Sequence, residues 1–167
     1  GDLVTSGGSG FGIMTIPVAI HRGFITHEEG LNRMIKIVDF LKNKTVTYHG
    51  VFPHWFNGAT GATIPFSTKD NGGDLVETSY LMAGLLTTRQ FFDGNTSEEI
   101  ALRKNITELW EAVEWDWHTK NNENVLYWHW SPTYNWEMNH QIHGWNEALI
   151  TYILAAASPT HAIKKEV

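Results

Sequence analysis

The chain lacks cysteine altogether, which excludes disulfides, thiolate metal ligands and thiol nucleophiles. Charged residues are scarce, at 18% of the 167 residues, and the net charge of −6 excludes the basic surface of a nucleic-acid-binding protein. No apolar run reaches the roughly 18 residues that a membrane-spanning helix needs. Aromatic residues are abundant instead, at 13% with eight tryptophans, and this composition predicts one folded domain over residues 1–167.

The apolar residues recur mainly with the spacing of helices and rarely alternate as they do in strands. Five helical segments are predicted, and they cover residues 11–23, 26–43, 75–93, 96–119 and 146–158. Two long aromatic loops, 44–73 and 119–144, interrupt this series. The order of helix pair, loop, helix pair, loop and helix predicts an all-α toroid or solenoid of helical hairpins, with its long loops at one end.

Local signals predict several of the helix ends. The first helix is expected to begin or bend near Pro17 and to end at Gly23. Thr26 and Glu29 have the spacing of a capping box, and Thr96 or Ser97 is expected to cap the fourth helix. A short hairpin is expected around the sequence NGATG. The apolar stripe of the fourth helix is predicted to comprise Ile100, Ile106, Leu109, Trp110, Val113 and Trp117.

Three acids crowd into the stretch DNGGDLVETSYLMAGLL, which covers residues 70–86. Asp74 stands where a helix cap belongs and Glu77 follows three residues later, so capping and dipole stabilisation account for both. Asp70 is harder to explain in this way, because the two glycines after it allow the backbone to approach a ligand closely. Acids beside aromatic residues also fit sugar hydrolysis, in which one carboxylic acid protonates the leaving oxygen and a carboxylate activates water or attacks.

Two further acids accompany the second aromatic loop. Glu147 is expected to start the last helix, where first-turn charge stabilisation and chemistry are equally good explanations. Glu137 lies within the loop, and taken alone it is expected to be a surface or hydrogen-bonding carboxylate.

The aromatic loops interleave tryptophan with histidine and asparagine. Each ring taken singly is best explained by packing against the helices, but the whole set favours a ligand cleft, because sugars need both a stacking face and hydroxyl partners. The candidate substrate-binding residues are His54, Trp55, Trp128, His129, Trp130, Tyr134, Trp136, Glu137, Asn139, His143, Trp145 and Asn146.

Nine histidines raise the question of a metal site. His140 and His143 are three residues apart and His129 is near, but no HExxH motif occurs and no thiolate is present. We therefore expect neither a metal nor another cofactor, and we expect the histidines to hydrogen-bond sugar hydroxyls or loop backbone.

Several long stretches resemble one bacterial family. They are FGIMTIPVAIHRGFI, GVFPHWFNGATGATIPFS, DNGGDLVETSYLMAGLLTTRQFFDG, LWEAVEWDWH, NVLYWHWSP and WEMNHQIHGWNEALITYILAAASPTH. Together they are similar to the glucoamylase-like family, whose members include the endo-β-1,2-glucanases of glycoside hydrolase family 144. The resemblance covers essentially the whole chain.

The resemblance implies an (α/α)6 toroid with a cleft at one end, and inverting hydrolysis of a β-linked glucan. By motif, Asp70, Asp74 and Glu77 match acids that line the family's catalytic cleft, and Glu147 matches a further essential acid. Glu147 is the expected general acid, and the other three are expected to hold the water or supply the base. Family resemblance also leads us to expect a periplasmic or secreted protein.

The length departs from the family pattern. Twelve helices of about 12 residues joined by loops of about 5 need roughly 200 residues, so this chain corresponds to about half a toroid. We expect the remaining half, or self-association, to cover the apolar faces that half a toroid exposes. Three alternatives stay open: a carbohydrate-binding half-toroid without hydrolysis, an enzyme active on α-glucan, and a helical scaffold whose acids only cap helices.

Overall fold

The computed structural model describes residues 2–167, which form five α-helices and five short strands. The helices are α1 Ser6–His21, α2 His27–Asn43, α3 Leu75–Phe91, α4 Ser97–Glu111 and α5 Leu149–Ala157. The strands are β1 Leu3–Thr5, β2 Trp55–Asn57, β3 Thr63–Ile64, β4 Gly73–Asp74 and β5 His129–Trp130. The predicted mainly helical fold is confirmed, and no helix in this part of the chain is long and apolar enough to cross a membrane.

Helices α1 and α3 lie side by side, run in the same direction and touch through their backbones. A Cβ atom added to Gly10 of α1 would lie 2.1 Å from the carbonyl oxygen of Tyr80, and one added to Gly84 of α3 would lie 2.3 Å from the carbonyl oxygen of Gly10. The helices approach this closely because both positions lack a side chain. Nearer the helix starts, Gly7 meets Glu77, so α1 and α3 begin at the same end of the molecule.

Helices α2 and α4 form a second parallel pair, joined to α1 and α3 by short turns. His27 lies 3.5 Å from Glu99 near the start of both helices, and Lys42 donates to Asn105 at 2.7 Å towards their ends. The two long loops, residues 44–74 and 112–148, leave from the ends of α2 and α4. Both loops therefore lie where α1 and α3 begin, as the sequence predicted.

The apolar core lies between the helices and extends beneath both loops. Phe52 from the first loop and Trp115 from the second are fully buried in it. Helix α5 begins beside the start of α3, where Ser79 donates to the hydroxyl of Thr151 at 2.9 Å.

Short strands hold the loops together. Strands β1, β2 and β3 form an antiparallel sheet, and β2 and β3 are the arms of the hairpin predicted around NGATG. Strands β4 and β5 pair separately, with Gly73 opposite Trp130 and Asp74 opposite His129. This second pair places the aromatic loop after α4 against the acids at the start of α3.

The predicted start of the first helix was wrong. Helix α1 begins at Ser6, capped by the Thr5 hydroxyl, which accepts the Gly8 N–H at 3.2 Å, and it continues through Pro17 without ending there. The glycine-rich start is helical because it packs against α3, and this tertiary contact outweighs the low helix propensity of glycine.

Two details of the later helices also differ from prediction. Helix α4 ends at Glu111, and Trp117 belongs to a separate 3-10 helix, Trp115–Thr119, instead of the apolar stripe. The buried face of α4 runs through Leu102, whereas Ile100 is 50% exposed. The predicted caps Thr26 and Thr96 are confirmed, the first as a complete capping box with Glu29.

We predict that Gly10→Ala and Gly84→Ala destabilise the protein by about 1–3 kcal/mol each, because the added methyl group would force the two backbones apart. Gly12→Ala is the matched control. Gly12 lies in the same helix, but a Cβ atom there would meet nothing within 4 Å. Its replacement should stabilise the protein by roughly 0.5–1 kcal/mol through helix propensity alone.

The free energy of unfolding, measured by urea titration and circular dichroism, tests this pair of expectations. Equal stability of the Gly10→Ala and Gly12→Ala variants would contradict the close backbone contact between α1 and α3.

Candidate active site

Asp74 is the central acid of the site, and each of its carboxylate oxygens has a separate task. Oδ1 accepts the backbone N–H of Glu77 at 2.9 Å, so Asp74 caps α3 as its spacing predicted. Oδ2 lies 3.0 Å from His54 Nδ1 and 3.5 Å from His129 Nε2. The side chain is fully buried. Asp74 is therefore both a helix cap and a partner of two histidines.

Asp70 lies beside this pair and is also buried, at 4% exposure. His129 Nε2 is 3.3 Å from Asp70 Oδ2, so one imidazole serves both aspartates. Two carboxylates taken out of water need compensating charge. His54 and His129 supply it, and together the four side chains form what we call the His–Asp cluster.

Two opposing effects determine the pKa values in the cluster: burial disfavours the charged form of each group, and hydrogen bonds to oppositely charged partners favour it. Burial raises the pKa of Asp74, but hydrogen bonds from His129 and His54 outweigh it and bring the pKa to about 2. Burial lowers the pKa of His129, but its bonds to Asp70 and Asp74 dominate and raise it to about 9. Burial also lowers the pKa of His54, but its hydrogen bond to Asp74 and the charge of Asp74 outweigh burial and raise it. At neutral pH Asp74 and His129 therefore form a charged pair.

Glu77 does not fold back to complete a capping box with Asp74. Its Oε2 atom instead accepts the Gly7 N–H at 2.8 Å and the Thr5 hydroxyl at 3.2 Å. The carboxylate thus sits against the start of α1, where free backbone N–H groups and the helix dipole favour negative charge. Its side chain is half-buried.

The backbone of Glu147 is linked to α3 by a hydrogen bond from Tyr80. The Tyr80 hydroxyl donates to the backbone carbonyl of Glu147 at 2.8 Å. Burial and the negative charges of Glu147 and Glu77 together raise the pKa of Tyr80. The expectation that Glu147 starts the last helix was wrong, because α5 begins at Leu149 and Glu147 occupies the exposed turn before it. The turn is set by Asn146, whose side chain accepts the Ala148 N–H at 3.0 Å.

The predicted aromatic residues divide between two groups around the cluster. Trp55 packs edge-on against His54 and Phe66, and Phe66 also stacks on His54 at 4.1 Å. Trp128 stacks on His140 at 4.9 Å. In the other group, Trp130 of β5 and Trp136 both contact Trp117, and Tyr134 is half-buried.

The remaining predicted binding residues lie at the surface of the second loop. Glu137 pairs with Lys69 at 2.6 Å, and Asn139 accepts from Lys120 at 2.5 Å. His143 and Asn146 bond within their own segment, and Trp145 is 89% exposed. The structure does not bring these five side chains into the His–Asp cluster.

Several residues that the sequence did not single out shape the site. They include Tyr80, Thr5 and Gly7, whose contacts are described above. Only Tyr80 could have been found from the sequence, because it lies one helical turn after Glu77. His118 is fully buried, and its Nδ1–H donates to the backbone carbonyl of Tyr127 at 2.8 Å. Burial lowers the pKa of His118 to about 4, so this imidazole, which lies within the second loop, is neutral at pH 7.

Metal-ligand chemistry is present at one point in residues 2–167. His54, Asp70 and Asp74 each offer a ligand atom, and these atoms lie within 4.8 Å of one another. A cation bound there would have to displace the protons that hold the imidazoles on the carboxylates. The pairing observed in the cluster is therefore an alternative to metal binding.

Known proteins resemble the chain in both sequence and fold. A family model described as "Putative glucoamylase" matches residues 139–167. The exo beta-1,2-glucooligosaccharide sophorohydrolase (non-reducing end) of Parabacteroides distasonis is 50% identical over 167 residues, which are 99% of this chain and 23% of that protein. The chain thus spans about a quarter of the length of this curated relative.

Two solved structures agree closely with the fold. The endo-beta-1,2-glucanase of Chitinophaga pinensis, in complex with sophorotriose and glucose, has a TM-score of 0.95 and 56% identity over 99% of this chain and 39% of its own. The beta-1,2-glucanase of Parabacteroides distasonis has a TM-score of 0.96 and 50% identity over 99% of this chain and 24% of its own. The resemblance to glucoamylase-like glucanases is confirmed along the entire chain.

We predict that the His–Asp cluster makes stability pH-dependent in both directions. Because the pKa of His129 rises from 6.5 to about 9 on folding, its contribution is complete below pH 6.5 and disappears as pH rises through 9. Because the pKa of Asp74 falls from 3.8 to about 2, its contribution is complete above pH 3.8 and disappears as pH falls through 2.

The free energy of unfolding measured between pH 2 and 10 tests this expectation. His129→Gln should lower stability near pH 6 and remove most of the decline between pH 6.5 and 9. His21→Gln, at the exposed end of α1, is the control and should keep the wild-type profile. An alkaline decline of undiminished size in His129→Gln would contradict the assignment.

Proposed function

We propose that this relative of the glucoamylase-like glucanases is a glycoside hydrolase that cleaves β-1,2-glucan, or oligosaccharides derived from it, with inversion at the anomeric carbon. The observation that carries the proposal is that Asp70, Asp74 and Glu77 lie together at the start of α3, while Tyr80, one helical turn further on, bonds the backbone of Glu147. Similarity to two β-1,2-glucanases over 99% of the chain supports the choice of substrate.

Glu147 is the proposed general acid. It stands in an exposed turn, where a glycosidic oxygen can approach its carboxyl group, and it would donate its proton to the leaving sugar as the bond to the anomeric carbon breaks. Tyr80 fixes the backbone of this turn and thereby positions the acid.

Glu77 is better suited than Asp74 to hold the attacking water. Asp74 is fully buried, its two oxygens are occupied, and a pKa of about 2 makes it a weak base. Glu77 is half-buried, and its hydrogen bonds to Thr5 and Gly7 use only Oε2. The Oε1 atom would accept a proton from water as the water attacks the face opposite the leaving group. Asp70 and Asp74 would then act as positioning residues.

The aromatic loops would supply the sugar-binding walls. Trp55 packs edge-on against His54 in the His–Asp cluster, whereas Trp130 follows His129 in β5 and its side chain projects from the opposite face of the strand. Indole rings offer the apolar faces on which sugar rings stack, and their N–H edges donate hydrogen bonds.

The cleft would be completed by helices beyond those described here. Phe11 and Val18 of α1 are 57% and 59% exposed, and Ile153 of α5 is 54% exposed, so apolar surface is left uncovered on two helices that both pack against α3. Further toroid helices, from a longer polypeptide or another chain, would cover these residues. As a secreted or periplasmic enzyme, such an assembly would meet its glucan outside the cytoplasm.

We predict that the protein releases short oligosaccharides from linear β-1,2-glucan, and that Glu147→Gln lowers this rate by about 10²–10⁴-fold, the usual contribution of a general acid. Product chromatography after incubation with β-1,2-glucan, β-1,3-glucan and starch is the measurement. Glu28→Gln is the matched control, because Glu28 is exposed at the start of α2, at the other end of the molecule.

Each outcome has a definite meaning. Unchanged product release by Glu147→Gln would refute its role as the acid, and release from starch alone would favour an α-glucan enzyme. Glucan binding without products would mean that these residues form a carbohydrate-binding part of the cleft. If neither products nor binding were found, the carboxylates would be helix caps and charge partners only.

A further inference from the structure

A cavity of about 280 Å³ opens at the end of the molecule that carries the long loops, outside the His–Asp cluster. Its wall is formed by the 3-10 helix and the turn that follows it, and His161 closes one side. The residues that line it include Glu114, Asp116, Trp117, Asn121, Asn122 and His161. We call this cavity the Trp117 pocket.

Trp117 is a rigid but accessible ring. One face stacks on His49 with 3.8 Å between centroids and 13° between planes, and the ring also packs against Trp130 and Trp136 at 6.0 and 6.3 Å. Nevertheless 38% of the residue is exposed. An aromatic surface already fixed by its neighbours loses little entropy when a ligand binds.

Polar groups surround the exposed part of the ring. Asp116 Oδ1 is held by His161 Nδ1 at 3.2 Å, and Glu114 is held by His49 at 2.9 Å, so both carboxylates have fixed positions. The amide side chains of Asn121 and Asn122 are exposed at the rim. An apolar ring face among carboxylate oxygens and amide groups matches the alternation of C–H and hydroxyl groups on a pyranose.

The Trp117 pocket is joined to the proposed cleft through Trp130. Trp130 pairs with Gly73, the residue before Asp74, and its ring contacts Trp117. Trp130 and Trp117 therefore form one aromatic surface on the face of β5 opposite His129, and a chain of sugars that follows this surface from the cleft would reach Trp117. This continuity favours a binding site for part of a long sugar chain over a separate site for a small molecule.

Resting on the proposed function, we propose that the Trp117 pocket is an additional sugar-binding subsite, which holds a residue of a linear glucan distant from the bond that is cleaved. Trp117 would stack on the pyranose, and Asp116 with the neighbouring amides would bind its hydroxyl groups. The subsite would favour long chains over the disaccharide.

Calorimetric titration in the Glu147→Gln background measures binding without turnover. Linear β-1,2-gluco-oligosaccharides of increasing length and the β-1,2-linked disaccharide are the probes. Trp117→Ala and Asp116→Asn should each weaken binding of the longest oligosaccharides by roughly five- to tenfold, the loss expected for one stacking or hydrogen-bonding contact. Disaccharide binding should not change.

Phe24→Ala is the control for the loss of an exposed ring, because Phe24 is 76% exposed in the turn between α1 and α2, at the other end of the molecule. It should bind every probe like the parent. A second readout is the indole N–H resonance of Trp117, assigned from its absence in Trp117→Phe, which should shift with long oligosaccharides and not with the disaccharide.

Equal weakening for short and long probes, unchanged binding in both pocket variants, or no binding of any probe would overturn the subsite. The proposed function is judged separately by product release from β-1,2-glucan. Normal release by the Trp117→Ala protein, together with unchanged binding of long oligosaccharides, would leave the enzyme standing and remove only this inference.

Discussion

The backbone contact between α1 and α3 is the constraint on which the site depends. Two glycines let the parallel helices approach until a Cβ atom on either would collide with a carbonyl oxygen of the neighbouring backbone. At this distance the start of α1 reaches Glu77 on the first turn of α3, and the Gly7 N–H can bond its carboxylate. A wider separation would leave a half-buried negative charge without its nearest donors. The helix packing thus determines where one of the acids is held.

Capping and chemistry do not compete at Asp74, because its two oxygens point to different partners. Oδ1 caps the N-terminus of α3, while Oδ2 faces His54 and His129. The pairing of β4 with β5 makes this possible, since it places His129 directly opposite Asp74 in the ladder. Asp74, which its spacing explains as a helix cap, is therefore also the centre of a charged network.

Sequence reasoning succeeded where the physical cause is local. The caps at Thr26, Asp74 and Thr96 depend on residues three positions apart, and the hairpin depends on a short run of turn residues. It failed where the cause is distant along the chain. The glycine-rich start of α1 is helical only because α3 lies against it, and no spacing within DNGGDLVETSYL predicts that Glu77 bonds residues 5 and 7. The clustering of the acids was predicted, whereas the histidines that neutralise two of them were expected to face sugar.

The carboxylates consequently separate into two groups that differ in burial and in their partners. Asp70 and Asp74 are buried beside His129, and transferring a proton to Asp74 would break its charged hydrogen bond in a poorly solvated place. Glu77 and Glu147 lie on the more open side and share Tyr80 as a neighbour. Burial and these two charges raise the pKa of Tyr80. Its hydroxyl donates to the Glu147 carbonyl, so in the proposed function the side chain that lies near both acids would also hold the turn that carries one of them.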